Sequence, residues 1–204
     1  MDATHQFWWN WWIQLAVAIG TIGAVILALF VSLRKPKPQL KLKVLRAEGE
    51  PTRLNSGEDV RFYHLHVWNE RRSIAATEVQ VYLSRLDESG ANGKLQKVWQ
   101  GNVPLRWRDQ EFVPTLQKIG SAKDCDLCQI GRQSGLSLMP LFVPNSLNSC
   151  RQGKCKLILF LQARSNEADS EVIRIAISWD GIWEDTDNAM KQHFAIEVLA
   201  DGQT

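Results

Sequence analysis

The chain has 204 residues, 45% of them hydrophobic, with 24 basic and 22 acidic side chains and a formal net charge of +2. That balance excludes recognition of nucleic acid by charge alone. No phosphate-binding glycine loop, Gly-x-Ser-x-Gly elbow or His-Glu-x-x-His occurs, so no catalytic signature is present and no enzyme is expected.

Residues 1–7 form a short tail with one acid, Asp2, and no Lys or Arg. Residues 8–33 follow as one apolar segment. Its twenty-one residues from Ile13 to Leu33 include only Gln14, Thr21 and Ser32 as polar side chains, and no charge. A hydrocarbon core of about 30 Å needs roughly 20 such residues in a helix, so a transmembrane helix is predicted over 8–33. A core helix of this length would carry charge on one face, and a cleaved signal would carry its basic residues in front. Trp8, Trp9, Trp11 and Trp12 suit the membrane interface, where an indole keeps its ring in the headgroup layer and its N–H hydrated. Ala16, Gly20, Ala24 and Ala28 recur every fourth residue, a small-residue ridge that lets helix backbones approach for self-association or packing on a membrane partner.

Behind the helix, Arg34, Lys35, Lys37, Lys41, Lys43 and Arg46 occur with no acid among them. The positive-inside bias therefore expects the N-terminus outside and the C-terminal domain in the cytoplasm, at the inner (plasma) membrane of a cell. The same basic strip can rest on anionic headgroups, at about 1 kcal/mol per charge near the surface. Pro36 and Pro38 make residues 34–39 a stiff extended linker. Residues 40–204 are long enough for one soluble domain with a sizeable core.

Period-two patterning dominates that domain. Leu40, Leu42 and Val44 alternate with Lys41 and Lys43 as a first strand. Phe62 to Trp68 predicts a second, with Tyr63, Leu65 and Val67 on one face and Phe62, His64, His66 and Trp68 on the other. A third places Thr77, Val79, Val81 and Leu83 inward and Glu78, Gln80 and Ser84 outward, ending in a turn-rich tip from Asp87 to Gly93. Residues 100 to 150, broken by Pro104, Pro114, Pro140 and Pro144, show no clear element. Lys156 to Ala163, Val172 to Trp179 and His193 to Leu199 are further strands, the last with Phe194, Ile196 and Val198 on one face. A short helical turn is expected within Asp185 to Gln192. The fold class is mainly β: one N-terminal transmembrane helix, then an antiparallel sandwich or barrel.

Cys125 and Cys128, separated by two residues, and Cys150 and Cys155, separated by four, are the one metal-like pattern. A set of four cysteines of this kind fits a structural zinc in a reducing cytoplasm. Disulfides are the reading for an oxidising compartment, and buried free thiols are a third. His64 and His66 share one strand face and with His193 would suit zinc or copper, but no carboxylate or third histidine stands at fixed spacing, so the alternating pair reads as packed on a half-buried sheet face. Asp180, Glu184, Asp185 and Asp187 read as a solvated turn begun by Asp180-Gly181.

The run Phe62 to Glu70, followed by Ala75 to Leu83, resembles the paired strands of prokaryotic immunoglobulin-like modules. Together with Ser178 to Trp183 and the anchor-first layout, it is similar to uncharacterised bacterial single-pass membrane proteins carrying such a domain. The resemblance implies an immunoglobulin-like β-sandwich that binds or positions something, with no catalytic residues to carry over; the Cys…Trp…Cys pattern is absent. The expected function is a membrane-anchored binding or scaffold module, with the edge strands, the Trp179/Trp183 region and the basic strip as contact surfaces. The expected partners are the bilayer and a protein or a second copy through the helix. The alternative is an effector whose soluble domain senses a ligand and whose helix assembles to perturb the bilayer. That layout is similar to transmembrane effectors of bacterial antiphage systems.

Overall fold

A computed structural model of the chain describes residues 3–33, 36–90, 92–108, 117–119 and 122–200. Two compact units emerge, Met1–Lys37 and Pro38–Thr204. In the first, α1 (Ala3–Leu33) is one continuous helix. Its apolar stretch Trp8–Leu33 covers 26 residues, about 39 Å at 1.5 Å per residue, long enough to span a membrane. The four tryptophans are exposed. They also pack edge to face on one another, Trp8 on Trp11 at 6.1 Å and Trp11 on Trp12 at 5.0 Å between ring centres. Thr21 satisfies its hydroxyl within the helix by donating to the Val17 carbonyl at 2.8 Å. Lys37 is exposed; Arg34 and Lys35 lie outside the described residues.

The second unit is an antiparallel sandwich whose chain alternates between two sheets. The first sheet begins with β1 (Leu40–Val44), β2 (Glu50–Arg53) and β3 (Asp59–Asn69). The second receives β4 (Ala76–Ser89), β5 (Leu95–Pro104) and β6 (Gln117–Ile119). Then β7 (Ala122–Gly131), β8 (Gly135–Leu138) and β9 (Cys150–Arg151) return to the first. Finally β10 (Cys155–Arg164), β11 (Ile173–Trp179) and β12 (Phe194–Leu199) complete the second, with the short helix α2 (Asp187–His193) leading into β12. The orders are β1-β3-β7-β8-β9, with β2 also on β3, and β12-β11-β10-β4-β5, with β6 also on β4. β1 and β2 pair with opposite ends of β3, Leu65–Asn69 and Asp59–Phe62.

The core lies where the two inward rows meet. Tyr63, Leu65 and Val67 from β3 oppose Val79, Val81 and Leu83 from β4, Leu157, Leu159 and Leu161 from β10, and Ile175 and Ile177 from β11, all buried. Alternation explains this, since period-two residues share a face and each buried aliphatic side chain contributes about 1.5–3 kcal/mol.

Several expectations need correction. Gln80, expected outward, is buried because its amide donates to the Leu105 carbonyl at 2.7 Å. Asp87 belongs to β4, not to the tip, and is held by a two-pronged bond from Arg85. Val198 is 48% exposed although Phe194 and Ile196 are buried. The stretch from 100 to 150 contains β7, which pairs with both β3 and β8.

β7 carries the irregularity that matters most. Tyr63 faces Cys128 and His64 faces Asp126, so Leu127 is one residue too many on its strand. Such a bulge shifts the alternation by one. Cys125 and Cys128, three apart, would otherwise point to opposite faces; here both are fully buried. Asp124 and Asp126 are left on the outer face, opposite His66 and His64.

Candidate functional site

The outward row of β3 is the start of the site. Phe62 and His64 stack at 6.2 Å with planes 6° apart, and His66 and Trp68 stack at 5.9 Å. Across the ladder, His64 Nδ1 lies 2.9 Å from Asp126 Oδ1, and His66 Nδ1 lies 2.7 Å from Asp124 Oδ1. Each carboxylate accepts from Nδ1–H, which leaves Nε2 as the ring nitrogen free for other partners.

A second set of charges closes over His64. Glu50 of β2 brings Oε2 to 3.8 Å from His64 Nε2, and Arg108 holds Glu50 in a fork at 3.2 and 2.6 Å. Arg108 belongs to the link after β5, which runs beside the first half of β7. There Asp126 N–H donates to the Arg106 carbonyl at 2.8 Å, Arg108 N–H to Asp124 at 3.0 Å and Arg106 N–H to Met139 at 3.2 Å. Leu105 and Trp107 are buried in the core, so alternation directs Arg106 and Arg108 outward. His64 is only 6% exposed and Asp126 8%.

These side chains surround a groove of about 570 Å³, walled also by Leu54, Phe62 and Met139. That size falls among small-molecule sites, which combine apolar walls with a few fixed polar groups. Arg106 stands apart within it. Its Nε is buried without a hydrogen-bond partner, and no ion pair reaches its guanidinium among the described residues. A buried donor left unmet costs about 1–3 kcal/mol.

No protein-family model, curated protein or solved structure matches the chain. Its function must therefore be read from the site. The His64–Asp126 dyad can exchange a proton at Nε2, but the described partners of that ring are two carboxylates and not a hydroxyl or thiol. Among the described residues no hydroxyl or thiol is hydrogen-bonded to that ring.

A second groove, of about 740 Å³, lies beside α2 and is lined by Lys154, Lys156, Trp179, Asp180 and His193 among others. Here His193 Nδ1 lies 2.7 Å from Asp180 Oδ2. The hydrogen bond from His193 holds the Asp180 carboxyl below its usual range, assisted by the backbone N–H of Ile182.

The other expected site residues fall elsewhere. Cys125, Cys128 and Cys155 are buried while Cys150 is exposed on β9, and all four thiols are free. Among the described residues no three His, Cys, Asp or Glu side chains are grouped to hold a metal ion, so the four cysteines are not assembled as a zinc set. Burial pushes the Cys125 and Cys128 thiols well up, and Cys155 to about 11. Trp179 is buried and bonded to the Ile182 carbonyl, and the half-buried Trp183 is bonded to Asp185, so the pair braces a loop. Ala16, Gly20, Ala24 and Ala28 lie along one ridge of α1, and no atom outside the helix lies within 4 Å of the Cβ position at Gly20.

Of the charged groove residues, His64 is the only one singled out by sequence. Glu50, Arg106, Arg108 and Asp126 were missed. The alternation of buried Leu105 and Trp107 with Arg106 and Arg108 was the available signal for the two arginines.

Proposed function

We propose that this chain is a membrane-anchored, non-enzymatic binding module, an immunoglobulin-like sandwich held at the cytoplasmic face by α1. The observation that carries the reading is the polar groove around His64, an outer-face network drawn from four chain segments and attached to a chain with one span-length apolar helix. Orientation rests on the basic strip from Arg34 to Arg46 and the acid-only tail. Two measurements test it. Protease added to inverted membrane vesicles should digest the sandwich, whereas protease added to intact spheroplasts should not. Native mass spectrometry of the purified full chain should show a bound species that Thr52→Trp, which fills the groove mouth, displaces. A sandwich cut only from outside, or recovered in the soluble fraction, would overturn the anchored reading.

A second reading, helix assembly that perturbs the bilayer, is favoured by the continuous small-residue ridge of α1. Gly20→Leu should abolish cross-linked oligomers in membranes without changing insertion if that reading holds. Unchanged oligomers would remove it.

A further inference from the structure

We infer that the groove on the outer face of β3 and β7 takes a small organic anion, a carboxylate on an apolar or aromatic body, with Arg106 as the residue that grips the charge. The inference rests on the binding-module reading and adds the chemistry of the ligand.

Charge bookkeeping within the groove leads there. Arg108 is committed to Glu50 through both prongs of its guanidinium, and Asp126 is committed to His64. Arg106 is the charged wall residue to which no described carboxylate is paired. Its backbone is clamped on both sides, to Met139 and to Asp126, so the side chain emerges from a fixed point. A planar guanidinium in that position suits a carboxylate, which it can meet with two parallel bonds.

The rest of the wall sets the body of the ligand. Phe62, Leu54 and Met139 offer apolar surface, and the Phe62–His64 stack presents a flat aromatic step. The two arginines balance Glu50 and Asp126 in formal charge, so the groove sets no net negative charge against an entering anion.

Benzoate is the probe, with benzamide as its neutral isostere and inorganic phosphate as an anion without an apolar body. Isothermal titration with the full chain in detergent micelles should show benzoate binding more tightly than either. Arg106→Met should weaken benzoate by about tenfold or more, the size expected for lost charge-assisted bonds. Arg106→Lys should retain part of the affinity. Each variant is first checked for the parent melting temperature; Arg106→Ala replaces any variant that fails. Equal binding of benzamide, or no change with both Arg106 variants, would overturn the anion assignment while leaving the membrane-anchored module standing. Failure of the vesicle test with benzoate affinity intact would instead overturn the module reading.

Discussion

Arg61 provides the sharpest test of how this fold is held together. It occupies the inward row of β3 two residues before Tyr63, where an apolar side chain would be expected. The sandwich ends there, and the loop before α2 folds over to supply acceptors. Arg61 donates to Asp187 Oδ1 at 2.5 Å, to the Asp185 carbonyl at 2.7 Å and to the Glu48 carbonyl at 3.4 Å. The two ends of the ion pair are unequal: the Arg61 side chain is 1% exposed and that of Asp187 56%.

This asymmetry decides which substitution is worse. Asp187→Ala strands a buried cation, and breaking a buried pair in this way costs about 3–5 kcal/mol; two carbonyls still serve Arg61, which argues for about 3. Arg61→Met keeps the stem volume and leaves Asp187 in water, so the loss is about 1–2 kcal/mol of hydrogen bonding. For a domain of this size the difference corresponds to about 2–8 °C in Tm. Urea unfolding of the Pro38–Thr204 unit, followed by tryptophan fluorescence, measures both, because Trp183 lies beside Arg61. The double variant should be close to Arg61→Met alone, since no cation then remains to be stranded. If Arg61→Met proves the more damaging single change, or if the two effects simply add, the argument from unequal burial is wrong.

Native thiol labelling should modify Cys150 rapidly, because it is exposed, while Cys125, Cys128 and Cys155 resist through burial and raised pKa; mass spectrometry should show one adduct, absent in Cys150→Ser. Asp180 and Asp185 have folded-state pKa values below their unfolded ones. Their contribution is therefore present above the unfolded carboxylate pKa and is lost as pH falls through the lowered values. The loop they brace should loosen below about pH 4, seen as a Trp183 emission shift that Asp180→Asn reduces. Gly135 has φ +75°, and a Cβ there would run into the Arg151 carbonyl of β9. Gly135→Ala should lower stability by at least about 1–2 kcal/mol, read as a fall in Tm.

Legibility of the sequence followed the continuity of alternation. β1, β3, β10 and β11 could be read because each keeps an apolar residue at every second position along most of its inward face. β7 could not, although it sits mid-sheet. Lys123, Asp124, Asp126 and Gln129 interrupt it, and the extra residue at Leu127 changes the phase of what remains. The same bulge produced the misleading cysteine spacing, since a two-residue gap looks like a metal turn when it is two thiols brought to one face of a strand. Glu50 was hidden beside Pro51, in a strand of four residues too short to show a period.

Two buried arginine environments in this domain separate structural polarity from functional polarity. At Arg61 the terminal nitrogens are all answered by groups of the same chain, and the result joins α2 and its loop to the sheet. Replacing that whole network with well-packed apolar groups would be about neutral in stability, as it often is for buried pairs. At the groove, Arg108, Glu50, His64 and Asp126 are linked in a similar way, yet they tie no helix to the core and they enclose open volume. Arg106 then adds a cation to that volume; Nε lacks a partner in both arginines, but Arg61 has the Asp187 carboxylate and no described carboxylate pairs with Arg106. Folding alone gives no reason to place it there, because alternation requires only an outward residue between Leu105 and Trp107, and Ser or Thr would satisfy it. A cation set by a clamped backbone in a groove of mixed polar and apolar walls is explained by what enters the groove.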